Sequence, residues 1–363
     1  MKFKGGSSPT GDRIHASASK GVTSLGREAW LYVAFPDGRV RCHLCSHQCT
    51  IADDKLGVCK VRKNVAGRLF SLSYGQIISQ QVDPIEKKPL YHYYPGTGSY
   101  SIATAGCNFG CRWCQNWHIS QAEVVQPLPP TQWITPEDVV ADALSTRCKS
   151  IAYTYTEPTI FFEFSYDTAR LAHEAGLANL YVTNGYMSEE MLNVFQGYLD
   201  GANVDLKAFR DETYKKLVGA RLQPVLDRLI KLKEMGIWVE VTTLLVTGIN
   251  DDPAEIRDIA GFIAGQLGSD TPWHISRFFP TYRMTDRAST PVATLRRARE
   301  IGGEEGLKYV YVGNVHDTSG NDTLCPSCGQ VLIRRYGYSI RVEGLVRGSC
   351  MSCGESIAGV WMD

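Results

Sequence analysis

Eleven of the twelve cysteines fall into three short-spaced clusters. They are Cys42, Cys45, Cys49 and Cys59; then Cys107, Cys111 and Cys114; then Cys325, Cys328, Cys350 and Cys353. Only Cys148 stands apart. Twelve cysteines in 363 residues are too dilute for a small disulfide scaffold. Clusters of this kind, in a chain with no apolar secretory leader after Lys2 and Lys4, read as metal ligands.

The central cluster, Cys107-Asn108-Phe109-Gly110-Cys111-Arg112-Trp113-Cys114, follows directly on an apolar strand. Three thiolates this close can wrap one face of a 4Fe–4S cube and leave the fourth iron without a protein ligand. An open coordination position of that kind accepts a chelating small molecule. Gly106 and Gly110 suit a tightly folded loop, and Trp113 offers an apolar wall. The plain alternative is a three-cysteine zinc site completed by a distant histidine.

The C-terminal cluster is two Cys-x-x-Cys-Gly knuckles, Cys325 to Gly329 and Cys350 to Gly354, with a β-rich stretch between them. That is the pattern of a closed structural zinc ribbon, with a rubredoxin-like iron as the rival. In the N-terminal cluster four cysteines suit zinc or an additional iron–sulfur centre, and His43 or His47 is able to replace one of them. Cys148 is expected to pack as a small apolar residue.

What must position these clusters is legible from periodicity. Short apolar strands recur near 100–105, 150–155, 179–183, 202–206, 238–246, 273–278 and 309–312. Helical patterns run over 136–147, 160–175, 188–198 and 253–267. Such alternation predicts βα units on a parallel sheet. The expected fold is α/β, a partial (β/α)6-type barrel with small Cys-rich metal-binding modules at both ends. The expected organisation is a flexible leader over 1–28, a Cys-rich module over 29–75, the barrel over 76–315 and a zinc-ribbon-like module over 316–363. In such barrels the loops after the strands carry chemistry. Polar residues collect there: Cys107 onward, Thr156-Glu157, Asn184-Gly185, Lys207 and Gly313-Asn314.

The Cys107–Cys114 spacing, with an aromatic residue before the last cysteine, resembles the signature of radical S-adenosylmethionine (SAM) enzymes. The resemblance implies a 4Fe–4S cluster and SAM as cofactors. It implies reductive cleavage of SAM to methionine and a 5′-deoxyadenosyl radical, which takes hydrogen from a substrate. It further implies roles for Glu157 at the methionine amine, for Thr183 and Asn184 at ribose hydroxyls, and for Lys207, in Asp205-Leu206-Lys207, at the methionine carboxylate. Glu157 lacks the glycine pair that precedes its counterpart in many relatives. His274 and Arg277 lie near the last strands as candidate substrate or SAM contacts. More narrowly, Cys42-His43-Leu44-Cys45, the run from Asp83-Pro84 through Glu86-Lys87-Lys88 to Tyr91, Thr154 to Pro158, Val204 to Lys207 and Tyr311 to Asn314 resemble the radical SAM component of the AmmeMemoRadiSam system. That family is similar to pyruvate formate-lyase activating enzymes. The implied partners are an electron donor such as flavodoxin or ferredoxin, and Memo-like and AMMECR-type proteins.

Composition bounds the alternatives. Basic and acidic residues are equal at 38 each, so a general nucleic-acid binder is not expected. No apolar run approaches the roughly 20 residues of a membrane helix, and a cytoplasmic protein is expected. Two rival functions remain: an activase that installs a glycyl radical on another protein, and a non-catalytic multi-metal scaffold for electron transfer or binding.

Overall fold

The protein is described by a computed structural model covering residues 22–23, 26–121, 132–315 and 320–362. The leader expected over 1–28 falls outside the described residues except at its end. There Gly26–Glu28 is a strand paired with Arg68–Ser71. Glu28 is buried, and its carboxylate takes donors from Tyr32 and Arg68. Of the expected linker, residues 316–319 lie outside the described part.

One nine-stranded sheet organises the molecule. Its strands in chain order are β1 (Gln76–Pro84), β2 (Gly98–Thr104), β3 (Gln132–Trp133), β4 (Ser150–Tyr153), β5 (Ala178–Thr183), β6 (Gly201–Asp205), β7 (Trp238–Leu245), β8 (Trp273–Arg277) and β9 (Val310–Gly313). The spatial order is β3-β1-β2-β4-β5-β6-β7-β8-β9. Seven strands, β2 and β4 to β9, run parallel, and β1 and β3 add an antiparallel edge. This is one parallel strand more than a six-unit barrel. The central strands are buried on nearly every residue, as expected where a sheet is covered on both faces.

Helices return the chain between strands: α1 (Pro136–Ser145), α2 (Phe162–Glu174), α3 (Glu189–Phe195), α4 (Leu222–Glu234), α5 (Pro253–Phe262) and α6 (Val292–Glu304). Their starts are written locally. Thr135 and Asp138 form a reciprocal capping box ahead of Pro136, and Ser188 Oγ accepts from Met191 N. Leu222, Val225, Leu226, Leu229 and Leu232 make the buried stripe of α4 at helical spacing.

Two modules dock on this frame. The N-terminal module, two small sheets, is held by Arg62, whose guanidinium bonds Glu163 of α2 at 3.1 and 2.5 Å with both side chains buried. The C-terminal module is held by His92, whose ring bonds Ala358 O at 2.7 Å and Tyr311 Oη at 2.6 Å.

Burial holds His92 neutral and pulls its pKa down to about 4, although Glu240 opposes the shift. The unfolded chain takes that proton near pH 6.5, so between pH 6.5 and 4 it binds more protons than the folded chain. Stability is expected to fall by about 3 kcal/mol across this window as pH drops. Chemical-denaturation midpoints at pH 7 and 4.5 check it: His92→Gln should flatten the dependence, and an unchanged slope would refute the assignment.

Candidate active site

The Cys107 loop leaves the end of β2 through Gly106, whose φ of +99° a side chain would strain. A Cβ there would lie 2.9 Å from Cys59 O and 2.8 Å from Val61 Cγ1, so glycine allows the loop to press on the N-terminal module. Backbone bonds from Gly110 N to Val218 O and from Arg112 N to Leu217 O fix the loop against the segment after β6. Phe109 N donates to Cys107 Sγ at 3.3 Å, and Cys114 Sγ lies 3.2 Å from Ser120 Oγ.

All three cysteines line one cavity of about 1010 Å³. Its wall draws on the C-terminal half or trailing loop of every parallel strand: Cys107, Glu157, Asn184, Lys207, Leu244, Ser276 and Gly313 mark the seven in turn. The sheet must therefore curve around it, as a partial barrel does. A 4Fe–4S cluster fits the donor set. Among the described residues, only the C-terminal four cysteines bring three or more metal-ligating atoms within 4.8 Å of one another. Cys107, Cys111 and Cys114 are not gathered in that way around one point, as a single zinc ion with thiolates at about 2.3 Å requires, whereas a cluster gives each thiolate its own iron. No fourth cysteine lines this cavity. Burial pushes the Cys107 thiol well above its usual range and Cys111 to about 12, so a bound cation is needed to hold them as thiolates.

The other expected contacts divide. Trp113, Glu157, Thr183, Asn184, Asp205, Lys207 and His274 all line the cavity. Glu157 is fully committed locally: its carboxylate takes Thr159 N, Thr159 Oγ1, Thr183 Oγ1 and Asn184 N. It thereby ties the ends of β4 and β5 together. Asn184 Nδ2 reaches Asn108 Oδ1 at 2.7 Å and so clamps the cysteine loop. Lys207 Nζ pairs with Asp205 at 3.0 Å; burial works against its charge, but Asp205 and Cys111 outweigh that and raise its pKa. His274 Nε2 bonds Glu240 at 2.6 Å. Arg277 is not among the lining residues; its Nε donates to Thr290 O at 2.8 Å and its guanidinium lies over Phe279. The reason is strand parity: three residues beyond His274 lies the opposite face of β8, whereas Ser276 shares the cavity side.

Sequence reasoning left Lys88, Asp83 and Tyr155 without a role. The buried Lys88 Nζ bonds Asp83 at 2.5 Å, lies 3.4 Å from Tyr155 Oη and sits 4.4 Å from the centre of that ring. Tyr155 also bonds Asp83 and holds a φ of +62°, rare for an aromatic residue. Three donors keep Asp83 ionised, while burial draws Lys88 down to about 8. Lys88, Glu86 and Tyr155 line the cavity, with Asn321 and Tyr338 arriving from the C-terminal side. The unusual run from Asp83 to Tyr91 was the available signal; Tyr155 carried none.

The C-terminal four form a separate centre. Cys325 and Cys353 sulfurs are 3.6 Å apart, and those of Cys328 and Cys350 are 3.7 Å apart. Thiolates about 2.3 Å from one ion at tetrahedral corners stand about 3.8 Å apart, so these side chains are set for a single metal. Gly329 and Gly354, at φ +73° and +77°, close the two knuckles.

The radical SAM superfamily model matches residues 101–263. An uncharacterized protein of Methanocaldococcus jannaschii is 45% identical over 333 residues, covering 91% of this chain and 98% of that one. A second protein of that organism, provisionally assigned as a glycyl-radical enzyme activating enzyme, is 24% identical over 217 residues, 58% of this chain and 77% of its own. Among solved structures, a radical SAM methyltransferase from Sphaerobacter thermophilus aligns with a TM-score of 0.48 and 17% identity, over 61% of this chain and 67% of that one. With the three-cysteine loop at the end of β2 inside the matched segment, and a relative aligned over nearly its whole length, the chain carries a radical SAM superfamily domain over residues 101–263 and belongs to one family with the Methanocaldococcus protein.

Proposed function

We propose that this protein binds a 4Fe–4S cluster through Cys107, Cys111 and Cys114, cleaves SAM reductively, and abstracts hydrogen from a substrate held in the same cavity. The observation that carries this reading is the three-thiol loop, without a fourth cysteine, at a cavity walled by all seven parallel strands. When bound, the cluster supplies the electron that converts SAM to methionine and a 5′-deoxyadenosyl radical. The chain's own residues hold the geometry. Glu157 and Asn184 fix the loop, Lys207 offers a cation beside Cys111, and Trp113 excludes water.

A one-electron protein donor, flavodoxin or ferredoxin, serves as reductant in this reading. The sulfur spacing of the C-terminal four supports structural zinc there. The motif resemblance supports membership of the AmmeMemoRadiSam system, with Memo-like and AMMECR-type partners, and a cytoplasmic setting. No helix among the described residues is long and apolar enough to cross a membrane. A second reading, activation of a glycyl-radical enzyme, rests on the relative assigned to that role.

Anaerobic reconstitution followed by reduction and SAM addition is expected to yield 5′-deoxyadenosine. Absence of product from a preparation with an EPR-verified reducible cluster, with and without the candidate partner proteins, would refute the proposal. Transfer of a glycyl-radical EPR doublet to a partner would favour the activase.

A further inference from the structure

The N-terminal cysteines enclose a second cavity, lined by Cys42, Cys45, Cys49 and Cys59 and closed by apolar residues such as Leu44 and Ile160. We propose that these four thiols hold a second iron–sulfur cluster, packed directly behind the Cys107 loop. The inference is independent of the reaction proposed above.

Ligand spread points to a cluster rather than to a single ion. The four cysteines share one cavity, yet no three of their sulfurs lie within 4.8 Å of one another, whereas the C-terminal four do. One zinc reaches thiolates at about 2.3 Å, so two of its ligands can be at most about 4.6 Å apart. A cluster bridges longer spans because different thiolates bind different irons. The two Cys-rich ends of this chain are thus built for different occupants. All four N-terminal thiols are free, so disulfides do not account for the gathering.

The cavity wall also carries two buried donors with nothing to bond. Arg62 spends both terminal nitrogens on Glu163, with one also reaching Ile160 O, and its Nε has no acceptor. Asn108 accepts from Asn184 at Oδ1, and its Nδ2 is likewise without a partner. Both residues line the cavity. A buried guanidinium N–H and a buried amide N–H left unmatched are costly, and each finds an acceptor when the cavity holds an anionic body with bridging sulfides and thiolates. Such N–H to sulfur bonds are among the factors that set a cluster's potential.

The second centre abuts the first. Asn108 is the residue after Cys107, and His47 Nε2 lies 2.7 Å from Asn108 O. Gly106, which needs its missing Cβ to approach Cys59 O, brings the two loops into contact. One asparagine therefore faces the N-terminal cavity while its neighbour faces the active-site cavity.

The test uses the full chain with Cys107, Cys111 and Cys114 all changed to Ala, reconstituted anaerobically with iron and sulfide. This variant is expected to retain about two to four iron atoms and matching acid-labile sulfide per chain, and to give an iron–sulfur EPR signal on reduction. Adding Cys45→Ser and Cys59→Ser should remove that iron while the zinc content stays unchanged. Asn108→Asp in the triple background, which keeps Oδ1 and removes the donor, should shift the retained signal to lower potential. If the triple variant holds no iron, or two zinc per chain in its place, the proposal is overturned. That outcome is read on N-terminal cysteines left intact, so it does not depend on whether the serine variants fold.

Discussion

Cys107→Ala, Cys111→Ala and Cys114→Ala are each expected to bring 5′-deoxyadenosine formation to background, a drop of about 10³-fold or more, whereas Cys148→Ala is expected to leave it near the unsubstituted level. In the proposed reading the loss is all-or-none, since each thiol would supply one of three protein ligands and no other cysteine lines the cavity to replace it. Cys148 is the fitting control. It is buried, as Cys111 is, but it packs between Thr146 and the start of β2, at the far end from the loop. Cleaved SAM, measured by chromatography alongside iron per chain, gives the readout. Should any one of the three retain full activity, the assignment of this loop as the cluster site fails.

Much of this architecture could be read from the chain because the relevant signals are local. The strands from 150 to 312 appear as short apolar runs, and the loop chemistry follows them at once in sequence, so motif and element are read together. Cys107–Cys114 and the two C-terminal knuckles are local in the same sense. Arg277 shows the limit of position without parity: nearness to the barrel's end does not bring a side chain to the cavity when it lies on the outward face of β8. Glu157, Thr183 and Asn184 are a subtler case. All three reach the cavity, yet their side chains are bonded mainly to one another and to the cysteine loop. What the chain did not declare is long-range pairing. Lys88 meets Tyr155 across 67 residues, and Arg62 meets Glu163 across 101. Neither has a spacing that periodicity can detect. The difference between the two four-cysteine ends is likewise a matter of sulfur spread, which Cys-x-x-Cys counting does not reveal.

Long-range pairing is also where the largest loss of stability is expected. Glu240, on β7, has no exposed surface. Its Oε2 accepts from Tyr91 N at 3.0 Å and bonds His274 Nε2 at 2.6 Å; its Oε1 accepts from His92 N at 2.8 Å and Trp238 Nε1 at 3.1 Å. Burial alone would raise its pKa, but the hydrogen bond to His274 and the backbone donors outweigh burial and hold its pKa down. Glu240→Ala strands these groups without an acceptor and should cost about 3–5 kcal/mol, since several buried donors lose their partner at once at about 1–3 kcal/mol each. Glu240→Gln keeps one acceptor oxygen and turns an amino group on the remaining donors, for a loss of about 2–3 kcal/mol. The damage has a direction. Tyr91 and His92 end the run that carries Asp83, Glu86 and Lys88, and they also hold the C-terminal module through Arg335 to Tyr91 O and His92 to Ala358 O. Hydrogen exchange at residues 91–94 and 358–360 should therefore speed up in both variants, with iron at Cys107, Cys111 and Cys114 unchanged. Uniform loss of protection, including the cysteine loop, would mean that Glu240 supports the sheet as a whole rather than the docking of this wall. Selective loss would make Glu240 the anchor that joins the C-terminal metal module to the cavity it helps to enclose.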